Sequence, residues 1–227
     1  MPLQHVLPDF PFSKWGLEFI GPINPLSSEG HIFILTSTNY FTKWTKDVPL
    51  KHAQNKKVIS FLESNIFSRF GLPLEIIMDN VPTLISAKLT QFMVKLGVKH
   101  FTSSTYYPQG NGQVQSTNKI LVRIIKRTIE DKPHQWNTLL TYALLADHTT
   151  TKESIDCTPF QLTYGQDDIL PTKLGLSSLR LMLQIEDLNS SNVPQRINTL
   201  LALEEQRNFT LENIKTRKQT MKKYINR

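Results

Sequence analysis

Residues 31–101 switch repeatedly between two hydrophobic periods, and that switching constrains the fold more than any other feature of the chain. Ile32, Phe33, Ile34 and Leu35 form an unbroken apolar run, suited to a strand buried on both faces. From 53 to 70 the apolar residues fall instead at 58, 59, 62, 66 and 70, the spacing of one helix face, and Gly71 with Pro73 ends the pattern. A strand at 74–78, a helix at 86–96 (Leu89, Phe92, Met93 and Leu96 on one face, Gly97 as its stop) and a short strand at 98–101 follow. Upstream, 15–21, 31–39 and 42–48 read as strands separated by Gly-, Pro- and Ser-rich turns. Three strands, helix, strand, helix, strand and then helices predict an α/β body: a mixed five-stranded sheet flanked by helices.

Downstream, YYPQGNG at 106–112 is too rich in Pro and Gly for a regular element. A long helix is expected from there to about residue 130. Residues 133–146 read as another, with Trp136, Leu139, Leu140, Ala143 and Leu144 on its buried stripe. The organisation expected is an N-terminal arm over 1–12, a core over 13–165, a linker over 166–192 and a helical tail over 193–227. That tail carries the charge. The net charge is +7, yet residues 213–227 hold six Lys/Arg and no Asp/Glu, leaving the other 212 residues at +1. A basic tail attracts phosphate backbones without reading sequence, although a solvated helix end also favours cations in its last turn. No run of 18 apolar residues occurs, so no membrane span is expected. The N-terminus lacks the apolar stretch of a secretion signal, and the lone Cys157 fits a reducing compartment. A nuclear or cytosolic location is expected. The six histidines and one cysteine show no paired metal-ligand spacing.

Three polar positions fall where strands end and helices begin, the usual place for a site in an α/β sheet. Glu18 lies in the first strand, Asp79 ends the fourth, and Gln115 opens the helix after the Pro/Gly loop. By residue type alone an isolated strand Glu is more often a surface or paired charge, and Asp79-Asn80 more often the start of a turn. If the three converge, they offer oxygen ligands to hard cations, and two such ions stabilise the attacking and leaving oxygens of an in-line phosphoryl displacement.

Five strings in fixed order change that balance: WGLEFIGP (15–22), YFTKW (40–44), SRFGLP (68–73), YYPQGNGQ (106–113) and TPFQLTYG (158–165). On these the chain resembles the integrases of gypsy-type long-terminal-repeat retrotransposons and, more distantly, those of retroviruses. The resemblance implies a ribonuclease-H-like fold and an Asp-Asp-Glu triad with thirty-five residues between its last two members in many examples. Here thirty-five residues separate Asp79 from Gln115, so the register is kept. The first position reads Glu18 and the third Gln115, so only Asp79 matches. Glu18 keeps the charge but sets the carboxylate one methylene further out. Gln115 loses the charge needed to offset two close divalent cations. The expectation is at most one Mg²⁺ or Mn²⁺, on Glu18 and Asp79, where the family uses two, with strand transfer impaired. Val81 stands where the family usually has Gly, and a β-branched residue resists a positive φ.

The same resemblance puts Tyr106 and Asn111 in a loop that touches the ends of the element DNA, and Asn118 and Lys119 on the catalytic helix. Arg123 continues that basic face, and Lys215, Arg217 and Lys218 add the tail. The implied partners are DNA and a second copy through the core helices, with no membrane and no small-molecule cofactor. The alternative is a non-catalytic DNA-binding or dimerising module derived from such an enzyme.

Overall fold

The computed structural model describes residues 10–102, 132–166 and 193–225. Its centre is a five-stranded sheet in the order β3-β2-β1-β4-β5, with β1 at Lys14–Ile20, β2 at Phe33–Asn39, β3 at Thr45–Leu50, β4 at Glu75–Met78 and β5 at Lys99–Thr102. β1 pairs antiparallel with β2, and β2 with β3; β1 pairs parallel with β4, and β4 with β5. The expected mixed sheet is therefore present, with the strand that carries Glu18 in the middle.

Alternation along β1 sorts its side chains into two layers. Trp15 and Leu17 point into the main core with Leu35, Ile76 and Met78. Helix α1 covers that face. It runs as α-helix over Asn55–Phe61, as π-helix over Leu62–Phe67 and as a last α-turn over Ser68–Phe70. Its Val58, Phe61, Leu62 and Ile66 interlock with Leu89 and Met93 of α2, Ala87–Lys95, whose first turn is capped by the Ser86 hydroxyl on the Leu89 amide at 3.4 Å. The opposite face of β1 and β2 carries Ile20 and Ile34, covered by Trp136 and Leu140 of α3, Trp136–Thr149. Helices thus flank both faces, as a sheet with a buried parallel half requires.

Two of the strings have clear structural reasons. In YFTKW, Asn39 builds the β2–β3 turn: its Oδ1 accepts from the Phe41 and Thr42 amides at 3.1 and 2.9 Å, and its Nδ2 donates to the Lys14 carbonyl at 3.0 Å. Lys43 takes a left-handed φ of 61°. The turn consumes 40–44, so β3 begins at Thr45 rather than at the expected 42. In TPFQLTYG, Thr158 and Gln161 form a complete capping box around α4, Pro159–Tyr164, with Pro159 in its first turn and Gly165 closing it at φ 75°. A Cβ on Gly165 would meet Leu203 Cβ at 3.1 Å.

Leu203 belongs to α5, Val193–Ile225, which is about 50 Å long at 1.5 Å per residue. The expected helical tail is this element. It docks on the body through Leu203, Thr210 and Ile214, all buried, and Ile214 shares a small core with Phe41, Ile155, Cys157 and Leu162. Arg207 reinforces the contact by donating to the Leu162 and Thr163 carbonyls at 3.1–3.2 Å, satisfying the last carbonyls of α4. The interdomain stretch expected at 167–192 and the arm at 1–9 lie outside the described residues.

Candidate metal centre at the junction of two strands

Glu18 sits two residues before the end of β1, opposite Thr36 on β2. Parallel pairing aligns Leu17 with Met78, and the Asp79 amide donates to the Leu17 carbonyl at 3.1 Å. The ladder therefore runs one step past β4 and sets Asp79 alongside Glu18, on the same face of the sheet. The sequence expectation that these two carboxylates converge is met.

Their electrostatics follow from the position. Glu18 is 7% exposed. Burial, with the charge of Asp79 as the second cause, pushes its pKa up to about 7. Its Oε1 is buried and has no hydrogen-bond partner among the described residues. Tyr40, at the end of β2, feels the same carboxylate: burial first, then Glu18, raises its phenol above the usual range. Asp79 is half-buried, and its Oδ1 accepts from the Asn80 amide at 2.8 Å. Two adjacent carboxylates, one with an oxygen that has no donor, form a site short of positive charge. A hard cation fits it: oxygen ligands suit Mg²⁺ or Mn²⁺, and the cation would relieve both the repulsion and the unmet acceptor. Among the described residues no third His, Cys, Asp or Glu joins them in metal-binding geometry.

Val81 differs from its expectation. Positive φ at non-glycine residues occurs only at Phe12, Lys43 and Asp156 among the described residues, so the turn after Asp79 places no left-handed demand on position 81. Val81 instead packs against the main core, and its carbonyl accepts from the Leu84 and Ile85 amides at 2.9 and 3.2 Å. The β-branched side chain is accommodated.

Gln115, Tyr106, Asn111, Asn118, Lys119 and Arg123 lie outside the described residues. Of the tail residues, Lys215 is exposed on α5, and Lys218 lies on the same helix. Arg217 is engaged by the body: Nη2 pairs with Asp156 at 2.9 and 3.1 Å, and Nη1 donates to the Glu153 carbonyl. The turn it grips holds Asp156 at φ 55°. Arg217 therefore helps seat α5 whatever else it touches.

Sequence reasoning missed a buried polar cluster on the Glu18 face of the sheet. Asp147, 1% exposed, forms an ion pair with Lys152. His148 stacks on Trp44 with ring centroids 3.7 Å apart and planes 9° apart. Its Nε2 faces the Thr45 backbone, 2.8 Å from the carbonyl oxygen, and burial holds its pKa down to about 4. Asp47 of β3 shares this region, its pKa pushed up to about 8 by burial, against the nearby Lys46 and with the charge of Asp147 adding. The signal was present in the period: Trp136, Leu140 and Ala143 lead on to 147, one turn past the expected helix end at 146.

Residues 9–108 match the family described as integrase core domain. Among curated proteins, the chain is 29% identical over 170 residues to the Gag-Pol polyprotein of avian reticuloendotheliosis virus, covering 74% of this chain and 14% of that one. It is 31% identical over 156 residues to the Gag-Pol polyprotein of feline leukemia virus, covering 68% of this chain and 9% of that one. The chain thus spans a small part of the polyproteins it matches. Among solved structures it is similar to a simian T-cell lymphotropic virus intasome, at TM-score 0.61 and 20% identity, covering 75% of this chain and 60% of that chain. The HTLV-2 integrase catalytic core domain in complex with magnesium matches at TM-score 0.53 and 20% identity, covering 70% of this chain and 98% of that core. The fold is that of integrase catalytic cores.

Proposed function

Starting from an integrase core domain of retroviral type over residues 9–108, we propose that this chain is a core of gypsy-type retrotransposon origin that binds one divalent cation and DNA, with strand transfer impaired. The observation that carries this reading is the pairing of Glu18 with Asp79 around a buried oxygen that has no donor. When bound there, Mg²⁺ or Mn²⁺ supplies Lewis-acid polarisation of a phosphoryl oxygen. Glu18 and Asp79 hold and orient it, and Tyr40 and the strand ladder fix Glu18 from below. Position 115 would complete the ligand set in the family pattern. As Gln it brings an acceptor oxygen but no charge, so a second cation beside the first is poorly compensated.

The core extends over 13–165, followed by a linker over 166–192 and a basic helical tail. DNA is held by Tyr106, Asn111, Asn118, Lys119 and Arg123 near the site and by Lys215, Arg217 and Lys218 on the tail. Self-association through the core is part of the same reading, supported by the dimeric and trimeric forms of the HTLV-2 core. A nuclear or cytosolic protein fits it.

The test is strand joining in Mn²⁺ and Mg²⁺ on a branched DNA substrate, comparing the natural chain with a Glu18→Asp, Gln115→Glu double variant. Activity in the double variant alone supports an intact scaffold disabled at two ligands. Activity in the natural chain that Asp79→Ala abolishes overturns the impairment. DNA binding without activity in either protein favours the non-catalytic module.

A further inference from the structure

A row of side chains crosses the sheet on the Glu18 face, set by register: Glu18 of β1 opposite Thr36 of β2, and Thr36 opposite Asp47 of β3. Asp147 at the C-terminal end of α3 reaches the far end of this row, where it hydrogen-bonds with the Thr45 side chain. Four buried oxygens along the row lack a hydrogen-bond partner among the described residues: Glu18 Oε1, Thr36 Oγ1, Asp47 Oδ2 and Asp147 Oδ2. Acceptors exceed donors here. Thr36 has one hydroxyl proton, and a carboxylate has none.

The charges at the β3 end are equally unbalanced. Lys152 neutralises Asp147 directly. Lys46 neighbours Asp47 in sequence, but alternation sends it to the other face of the sheet, where its Nζ lies 5.6 Å from the Trp44 ring centroid. His148, the remaining basic group in the cluster, is kept neutral by burial. Arg69 acts on Lys46 and disfavours its charge, so it adds nothing to Asp47. Two carboxylates close enough to repel thus share one well-placed cation, and each buries an oxygen that has no donor. Among the described residues no third ligand completes a metal site.

We propose that Asp47 carries a proton in the folded protein and donates it to Asp147 Oδ2, so that a carboxylic acid on β3 clasps the last turn of α3 to the sheet, and that loss of this proton opens the clasp. A single proton supplies the missing donor and removes one of the two negative charges, as in other carboxylate pairs that cannot both ionise. Two independent helix contacts lie beside it, the Trp44–His148 stack and the His148–Thr45 contact. Opening the clasp therefore loosens the helix end without releasing Trp136 and Leu140, which sit three turns away in their own core. The device is a pH-sensitive hinge between the sheet edge and the helix that covers the Glu18 face.

The direction with pH is fixed by the sign of the shift. Asp47 is held above its unfolded pKa, so its protonation favours the folded state most at low pH, and that contribution is lost as pH rises from about 4 to about 8. Asp47→Asn keeps a donor and has no proton to lose. Its folding equilibrium constant should therefore gain on that of the natural chain by up to about tenfold per pH unit across that window, measured by urea unfolding at pH 5, 6.5 and 8. The shared proton is read directly by infrared difference spectra near neutral pH. A protonated-carboxyl band should vanish in Asp47→Asn and shift in Asp147→Asn. A band that survives Asp47→Asn, or does not move in Asp147→Asn, overturns the proposal, as do parallel stability profiles. If Asp147→Asn does not fold, hydrogen exchange of the natural chain decides. Corrected for intrinsic rates, amides 146–149 should exchange at least about tenfold faster at pH 9 than at pH 6.5, and equal protection sinks the clasp.

Discussion

A cation between Glu18 and Asp79 competes with the proton on Glu18, and that competition has a calculable size. With the Glu18 pKa at about 7, roughly a tenth of the carboxyls are ionised at pH 6 and about nine-tenths at pH 8, so the apparent Mn²⁺ affinity should rise about tenfold over those two units. A Glu with an ordinary pKa of 4.5 is fully ionised throughout and would give a flat profile. Isothermal titration of metal-free protein with Mn²⁺ at pH 6, 7 and 8 measures the slope, and a chelator wash should return the protein to its starting state. Glu18→Gln should remove both the pH dependence and most of the affinity. Asp79→Asn should weaken binding and also flatten the profile, because the carboxylate that helps raise Glu18 is gone. A flat profile in the natural chain, with binding intact, would refute the claim that burial and Asp79 govern this site.

Three further outcomes follow from the packing. Asp147→Ala leaves Lys152 with its charge buried and unpaired, and should cost about 3–5 kcal/mol of unfolding free energy by urea titration. Gly165→Ala forces a side chain into a left-handed φ of 75° and onto Leu203; it should cost about 1–2 kcal/mol and raise exchange at the α4–α5 junction. Lys215→Ala together with Lys218→Ala should lower the slope of log K against log salt for DNA binding by about 2, whereas Arg217→Ala, which also gives up an exposed ion pair with Asp156, should lose under about 1 kcal/mol of stability.

The strand order was legible because each strand announces itself by period and each turn by composition. The edges were not, and the reasons are local. Thr42 and Trp44 look like strand residues, yet the Asn39 side chain gathers the amides of 41 and 42 into a turn first, and short polar side chains compete with the ladder in this way. Residues 53–70 have one unbroken helical period, but Ser64 and Ser68 bond back to the carbonyls of Ser60 and Ser64 at 2.6 and 2.8 Å. That back-bonding accompanies the π-helical stretch at Leu62–Phe67, which hydrophobic spacing alone does not reveal. Helix α3 outlasts its expected end because Asp147 and His148 are polar residues on a buried stripe, and a hydrophobicity pattern discounts them. The site divides in the same way. Glu18 and Asp79 were placed by strand-end logic and by their motifs, while the suspicion about Val81 came from composition at one position and dissolved once its backbone proved ordinary.

The two faces of the sheet show why only half of this protein could be read from pattern. On the α1–α2 face Trp15, Leu17, Leu35, Ile76 and Met78 interlock, and burial of apolar surface accounts for the arrangement. On the other face the same strands turn Glu18, Thr36 and Asp47 inward, where each leaves an oxygen without a donor. Such groups are costly to bury unless something satisfies them. At the β1–β4 junction the natural complement is a cation, because two carboxylates meet there at the rim of the sheet. At the β3 edge it is a proton, because Asp147 and Lys152 seal that end from above. Thr36 separates the two, with one hydroxyl between two acids. A Glu at position 18 in place of the family's Asp extends the first acid further along this row. Glu18→Asp should therefore draw the carboxylate back toward its own strand and away from Thr36. If the longer side chain is what leaves Oε1 buried without a donor, the Glu18→Asp protein should be the more stable of the two in metal-free buffer. Equal stability would mean that the cost lies in the position of the carboxylate on β1, not in its reach.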